Sequence, residues 1–413
     1  MLIEFLTYPV DKFSYLVKIL RDEKTPWRRN LILISIAQFI TMVGMGAVIP
    51  FMPLYIRELG IADPGQAKLW SGLIFAGPYM LSIIFVPVWG SLGDKYGRKM
   101  MIIRAIIGLA IVMTLMGFAQ TVWQILILRI IQGAASGFLA ASLSFVSADA
   151  PRERSGFAIG ILQSSQSAGN IMGPLIGGVL SDVLGLRPVF FVTGLLCFSS
   201  AVLIQFYVRE LNFESNKDKK VTAWSNFRFV VGKTELRNIM LMIILSQAGI
   251  LFANPIMPYF LEYLQAPKPY LSTITGIFVG IVGFFSIIFA PRWGRRNDRK
   301  AYQKTILMST LIIGVVLLLH AFVPHYLYLL PLRIILGIFM AAVVPTLYTA
   351  LSKRAPEDKI GGIMGIASSA MLFGALISYL LCGALSNTLG FSGTFLLSAA
   401  LVFISSIIAF KKN

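Results

Sequence analysis

Apolar runs of about 18 to 26 residues recur along the whole chain, separated by short polar stretches. Each run is long enough to cross a hydrocarbon core about 30 Å thick at about 1.5 Å per residue. Inside lipid a backbone N–H or C=O has no water to bond, so runs of this length must be helices. A first six lie at 31–56, 70–88, 101–119, 122–148, 155–181 and 188–208. A polar connector at 209–236 carries Asn216-Lys217-Asp218-Lys219-Lys220. A second six follow at 237–264, 271–290, 305–322, 326–350, 360–386 and 392–410. The expected fold is therefore an all-α membrane protein of twelve transmembrane helices. The loops on the side opposite the connector are short, which leaves no room for a soluble catalytic domain, and no enzyme activity is expected.

The charge distribution orients these helices. The chain has 413 residues, is 57% hydrophobic and carries a net charge of +18. On this span assignment thirty of the 36 Lys and Arg fall on one side: twenty-eight in the N-terminal segment, the even-numbered loops and the C-terminus, and Arg104 and Arg237 at the ends of runs there. Arg57, Lys68, Arg187 and Lys268 fall on the other side, and Arg129 and Arg333 lie deeper inside helices. Positive residues accumulate in cytoplasmic loops, so both termini are expected in the cytoplasm. The basic face points to anionic membrane lipids as partners, not to nucleic acid. Residues 1–30 lack the features of a signal peptide, since Glu4 and Asp11 interrupt the apolar stretch. Leu6, Val10, Phe13, Val17 and Leu20 recur there at helical spacing among Lys12, Lys18 and Arg21, the pattern of an amphipathic helix on the membrane surface. Cys197 and Cys382 fall within apolar runs and are expected as core residues without a disulfide. His320 and His325 have no Cys, Asp or Glu at metal-ligand spacing, so no metal and no cofactor are expected.

The two sets of six repeat each other. Leu128-Arg129-Ile130-Ile131-Gln132-Gly133 is matched 204 positions later by Leu332-Arg333-Ile334-Ile335-Leu336-Gly337. Ala150-Pro151-Arg152-Glu153 is matched by Ala355-Pro356-Glu357-Asp358, Pro50 and Pro53 by Pro255 and Pro258, and Trp89-Gly90 by Trp293-Gly294. Parallel repeats of this kind are related by an axis along the membrane normal and rock about a site near the midplane. The domain reading is a surface segment at 1–30, a six-helix bundle at 31–208, a linker at 209–236 and a second bundle at 237–413.

Three stretches carry chemistry. Gly90–Lys99, G-S-L-G-D-K-Y-G-R-K, joins two runs and sets one acid, Asp94, among Lys95, Arg98 and Lys99. Its glycines allow a tight turn, and Asp94 can cap a helix or pair with a base. The stretch resembles the motif A loop of the major facilitator superfamily along all ten residues. That resemblance implies a gate network of Asp94 and Arg98 shaped by Gly90 and Gly97. Asp298 stands in a second copy, where Asn297 replaces a glycine and the G-R-K pattern is lost. Leu126–Gly133 resembles motif B, whose arginine is linked to proton movement in exporters. Arg129 is either that coupling residue or a cation satisfied by neighbouring carbonyls. Gly169–Gly178, G-N-I-M-G-P-L-I-G-G, permits close helix contact and resembles motif C of the drug:proton antiporter branch. Gly169, Gly173, Pro174, Gly177 and Gly178 would then form a hinge. In the second half Ser378-Tyr379 replaces Gly173-Pro174.

The resemblance covers about residues 31–410 and implies a central cavity. Its candidate lining residues are Gln38, Met42, Gln132, Gln163, Gln166, Asn170, Gln247, Asn254, Tyr259 and Tyr348. None of the eighteen Asp and Glu residues falls at the centre of a run. Glu262, beside Tyr259 and Tyr263, is the remaining carboxylate candidate for coupling. The implied function is export of amphipathic or hydrophobic small molecules by alternating access, as in multidrug efflux, driven by protons. Export of one dedicated product such as a siderophore, sugar or lipid-linked compound is the alternative, and a non-transporting membrane sensor a further one. A monomer in a bacterial inner membrane is expected.

Overall fold

The computed structural model describes residues 26–151, 154–210, 223–296, 302–356 and 360–410. The expected amphipathic segment up to residue 25, residues 211–222 of the connector, which include Asn216–Lys220, and Asp298 lie outside the described residues. The side chain of Asp94 lies outside them too, although its backbone is helical.

Among the described residues every regular element is helical. The first half holds α1 (Pro26–Val48), α2 (Met52–Glu58), α3 (Pro64–Tyr96), α4 (Arg98–Gly117), α5 (Val122–Ala134), α6 (Phe138–Asp149), α7 (Ser155–Leu184) and α8 (Leu186–Tyr207). The second holds α9 (Ala223–Gly232), α10 (Thr234–Leu251), α11 (Met257–Tyr263), α12 (Leu271–Arg296), α13 (Tyr302–His320), α14 (Leu329–Ser352) and α15 (Ile360–Phe410).

Ten segments of the described chain are long and apolar enough to cross a membrane. Gly362–Ala409 is one of them and has 48 residues. At about 1.5 Å per residue it is more than twice the thickness of a hydrocarbon core. Gly390, with φ 66°, breaks it. α7 is not among the ten, because its serines, glutamines and glycines dilute its hydropathy over 30 residues.

Several boundaries differ from the sequence expectation, each for a local reason. The runs at 31–56 and 237–264 are each two helices. Prolines at 50 and 53, and at 255 and 258, remove backbone donors at the interruption. The linker contains helix α9. The run at 122–148 is also broken, between Ala134 and Phe138. The largest difference is at Gly90–Lys99, where α3 runs on to Tyr96. Only Gly97 turns the chain, with φ 101°. Gly93 instead packs on α4, where a Cβ would lie 3.3 Å from Met101 Cγ, and Gly90 faces open space.

The halves repeat their side-chain bonds as well as their sequence. Trp89 Nε1 donates to Ala134 O at 2.7 Å, and Trp293 Nε1, 204 residues on, donates to Ile338 O at 2.8 Å. Ser82 Oγ reaches Gly133 O at 3.3 Å and Ser286 Oγ reaches Gly337 O at 2.8 Å. Thr193 Oγ1 donates to Gly44 O at 3.1 Å and Ser398 Oγ to Gly249 O at 2.5 Å. In an apolar interior such bonds hold helices in register, because no water competes for the groups.

Candidate functional site

The halves meet at the end of the bundle opposite to the Gly97 turn. Arg57 at the end of α2 pairs with Glu262 of α11 at 2.5 Å, and Lys268 Nζ lies 3.8 Å from the same carboxylate. Arg57 and Glu262 occupy equivalent repeat positions, 205 residues apart, and carry opposite charge. The Arg57 guanidinium sits 4.5 Å from the Tyr259 ring centre. Tyr259 is buried and donates its hydroxyl to Pro53 O at 2.5 Å, with Ser71 Oγ 3.3 Å away. Asp182, at the end of α7, accepts from the Thr273 N–H at the start of α12 at 2.8 Å, which satisfies one of that helix's unpaired donors. Behind the pair lies a cleft of about 260 Å³ lined by Arg57, Lys68, Tyr259, Glu262 and Phe391.

Glycines let the halves and their helices touch backbone to backbone. α7 packs on α1 through Gly169 against Met42 and Phe39, Gly173 against Gly46 and Val43, and Gly177 against Ala47. Gly178 faces the other half: a Cβ there would stand 2.5 Å from Ser272 O of α12. The cross-half seam is made twice. Gly276 of α12 abuts the Pro174 carbonyl of α7, and Gly72 of α3 abuts the Tyr379 carbonyl of α15. Pro174 and Tyr379 are repeat equivalents, so one contact is the other's counterpart.

Beneath this closed end lies a buried polar cluster drawn from both halves. Arg129 is buried on α5 and donates through Nη1 to Gln132 Oε1 at 3.1 Å. It lies within electrostatic reach of the Tyr79 and Tyr379 hydroxyls. Tyr379 lies beside Tyr79, with the two rings 5.6 Å apart, and within electrostatic reach of Asn254. Arg129 Nε has no partner. Arg333, the counterpart of Arg129, is buried in its own half and donates to Met257 Sδ at 3.1 Å. Among the described residues no Asp or Glu side chain is buried. A buried guanidinium without a carboxylate is costly, and Gln132 Oε1 supplies an acceptor that offsets part of that cost for Arg129.

At the other end each half has polar contacts of its own: in the second, Arg354 Nε pairs with Glu235 Oε2 at 3.2 Å. Glu210 accepts from the N–H groups of Arg98 and Lys99, both at 3.0 Å. It thus caps α4. Anionic groups are favoured at a helix N-terminus. Asn30 bridges Asp149 Oδ2 and Arg209 O, both at 2.8 Å.

A sequence profile described as Major Facilitator Superfamily matches residues 34–238 and again 239–412. The chain belongs to that superfamily. It is a multi-pass membrane protein. Among curated proteins it is similar to "Multidrug resistance protein MdtG" of Proteus mirabilis, 32% identical over 94% of this chain and 96% of that one. The protein of the same name from Salmonella arizonae is 34% identical, with the same coverage. Among solved structures, a bacterial homologue of the human lysosomal transporter Spinster, in an inward-facing and occupied conformation, superposes with TM-score 0.77 at 14% identity. It covers 94% of this chain and 97% of its own. The human organic anion transporter MFSD10 superposes with TM-score 0.69 at 16% identity, covering 93% and 99%. These two likenesses concern the fold alone.

The residues singled out as superfamily cavity positions fall into separate places. Gln132 and Asn254 join the Arg129 cluster. Tyr259 and Glu262 belong to the closed end. Met42 is core, packed under Gly169. Gln38 is buried and donates to Leu162 O at 3.1 Å. Gln163 and Asn170 are exposed along α7 and Gln166 is half-buried there. Gln247 packs near Gly374, and Tyr348 reaches Ser368 Oγ at 3.2 Å and Met371 Sδ at 3.4 Å. Sequence reasoning missed Tyr79, Tyr379, Arg57 and Glu210. A signal existed for two of them: Tyr379 stands where the repeat has Pro174, and Arg57 where it has Glu262.

Proposed function

We propose that this chain is a secondary active transporter that exports amphipathic or hydrophobic small molecules by alternating access, with multidrug efflux as its class. The observation that carries the reading is the inter-half seam. Two similar bundles are fastened at one end by Arg57–Glu262, Tyr259 and paired glycine contacts, with a buried arginine cluster beneath. Bundles joined in that way can separate at the fastened end and close at the other without repacking their cores. The relatives named for multidrug resistance, over nearly the whole chain, support the substrate class.

We assign twelve crossings, with Gly362–Ala409 counted as two and α7 as one, and bundles at 31–208 and 237–413. The positive face, and with it both termini, is cytoplasmic in a bacterial inner membrane, so the Arg57–Glu262 end faces outward and the structure is the inward-facing state. Proton antiport is the driver. Glu262 is the coupling carboxylate: on taking a proton from outside it loses its charge attraction for Arg57 and Lys268, and the outer end is freed to open. Asp94 and Arg98 gate the cytoplasmic end. The protein works as a monomer among anionic lipids.

The test is flux of a drug panel in proteoliposomes, with and without an imposed pH gradient. Export that accelerates with an acidic exterior supports the reading. Flux indifferent to the gradient removes the antiport assignment, and absence of flux under both conditions removes the transporter reading.

A further inference from the structure

The fourth membrane segment is broken in one half and whole in the other. α5 ends at Ala134 and α6 begins at Phe138, whereas the corresponding α14 is continuous from Leu329 to Ser352. Gly137 makes the break, with φ 106° in the left-handed region. Its repeat counterpart, Ala341, sits inside α14. Where a helix stops, its last carbonyls lose their N–H donors. Here three consecutive carbonyls are answered by side chains. Trp89 Nε1 donates to Ala134 O at 2.7 Å, Arg104 Nη1 to Ala135 O at 3.3 Å and Arg104 Nη2 to Ser136 O at 2.9 Å. The guanidinium also lies 3.7 Å from the Trp89 ring centre, so the two donors brace each other. The second half keeps the indole bond, from Trp293 to Ile338, but has Met308 where Arg104 would stand. The arginine accompanies the break. Gly108, one turn beyond Arg104, lets α4 approach it: a Cβ there would lie 2.8 Å from Ala135 Cβ. Ser136 Oγ and Arg104 Nε are buried without a partner, so this arrangement leaves two polar groups at the break unsatisfied.

We propose that Ala135–Gly137 is a hinge on which α5, carrying Arg129 and Gln132, turns against α6, and that Arg104 is its positioning residue. Glycine adopts right- and left-handed conformations with similar ease, so residue 137 can switch between them. In the bent arrangement Arg104 and Trp89 hold the three carbonyls. In the straight arrangement, the shape α14 already has, those carbonyls bond the N–H groups one turn on and Arg104 withdraws. Two discrete packings of one segment are what a rocking transporter needs inside a half. The use of the hinge rests on the alternating-access reading; its existence is measurable with no transported compound.

The experiment labels cysteines placed at Ile127 on α5 and Ser147 on α6, both exposed. The native Cys197 and Cys382 are buried. Spin-label distances are read on the full chain in phosphatidylethanolamine–phosphatidylglycerol vesicles, alongside melting temperature. Losing two guanidinium bonds, Arg104→Met shifts the bent-to-straight ratio at least about tenfold toward straight. Gly137→Ala, which disfavours the left-handed turn, shifts it the same way. Arg104→Lys falls between, as it keeps the charge without the fork. Should Arg104→Met fail to accumulate, the lysine and Gly137→Ala variants carry the comparison. Distances unchanged in the variants that fold, including any that melt earlier, overturn the proposal, because Arg104 then only stabilises a fixed bend. A shifted ratio in a protein that exports nothing keeps the hinge and removes the transport reading.

Discussion

The helix α7 and the first part of α15 occupy equivalent places in the two halves, yet only one is built for close approach along its whole length. α7 offers Gly169, Gly173, Pro174, Gly177 and Gly178, and α15 offers Gly374, Ser378, Tyr379, Cys382 and Gly383. The glycines kept in both, at 169/374 and 178/383, touch a neighbouring backbone in both. The positions that differ do different work. Gly177 presses on Ala47, whereas Cys382 fills a buried site of its own. Pro174 gives only its carbonyl to the seam, whereas Tyr379 gives the same carbonyl contact and also sends a hydroxyl toward Arg129. The repeated glycines make backbone contacts in both halves, and Tyr379, among the positions that depart from the repeat, lies within electrostatic reach of Arg129.

The largest expected effect breaks that contrast directly. Gly177→Leu should cost about 3 kcal/mol or prevent folding, since the new side chain meets the Ala47 backbone, which cannot step aside. Cys382→Ala should cost about 1 kcal/mol, the loss of one small buried group. Folded yield and melting temperature check both, and equal costs would erase the difference between the helices. Next, Arg129→Ala should abolish export while leaving insertion intact, and Arg333→Ala, whose partner is Met257, should reduce it less. Equal losses would mean that the cross-half tyrosines add nothing. Asp94→Asn should likewise stop export without loss of protein in the membrane, and normal export would end its gate assignment.

Smaller in stability is the effect of Glu262→Gln. A partly exposed ion pair contributes about 0–1 kcal/mol, so the melting temperature should stay near the parent's while flux loses its response to external pH. The exchange Arg57→Glu with Glu262→Arg should keep the outer end fastened, with reduced response. The smallest effect is Glu210→Gln. It should cost about 1 kcal/mol through the weakened cap on α4, read as a small shift in melting temperature.

The membrane-length runs, the repeat and the superfamily were legible in the sequence, because each is a one-dimensional pattern repeated over many residues. The partners were not. Nothing near Arg129 in the chain announces Tyr379, about 250 residues away, since that meeting depends on how the halves close. The break at Gly137 was hidden because a small residue inside an apolar run reads equally as a packing position. The Gly90–Lys99 stretch was recognised but its shape was misjudged. Three glycines suggested a loop, and helix propagation carried α3 to Tyr96 with one turn left at Gly97. Glu210 was missed because it lies at the edge of a polar connector, where a single acid carries no pattern.

The central claim is that the Arg57–Glu262 end must open and close for export. Its most direct test is the double variant Gly65→Cys, Asn387→Cys, which joins α3 to α15 at that end, where a Cβ at residue 65 would lie 2.9 Å from Asn387 Cγ, made in cells lacking their own efflux pumps. We predict that drug export stops when the two cysteines are cross-linked by an oxidant and returns when a reductant cleaves the bond. Export that continues at the parent rate with the cross-link in place would contradict the account.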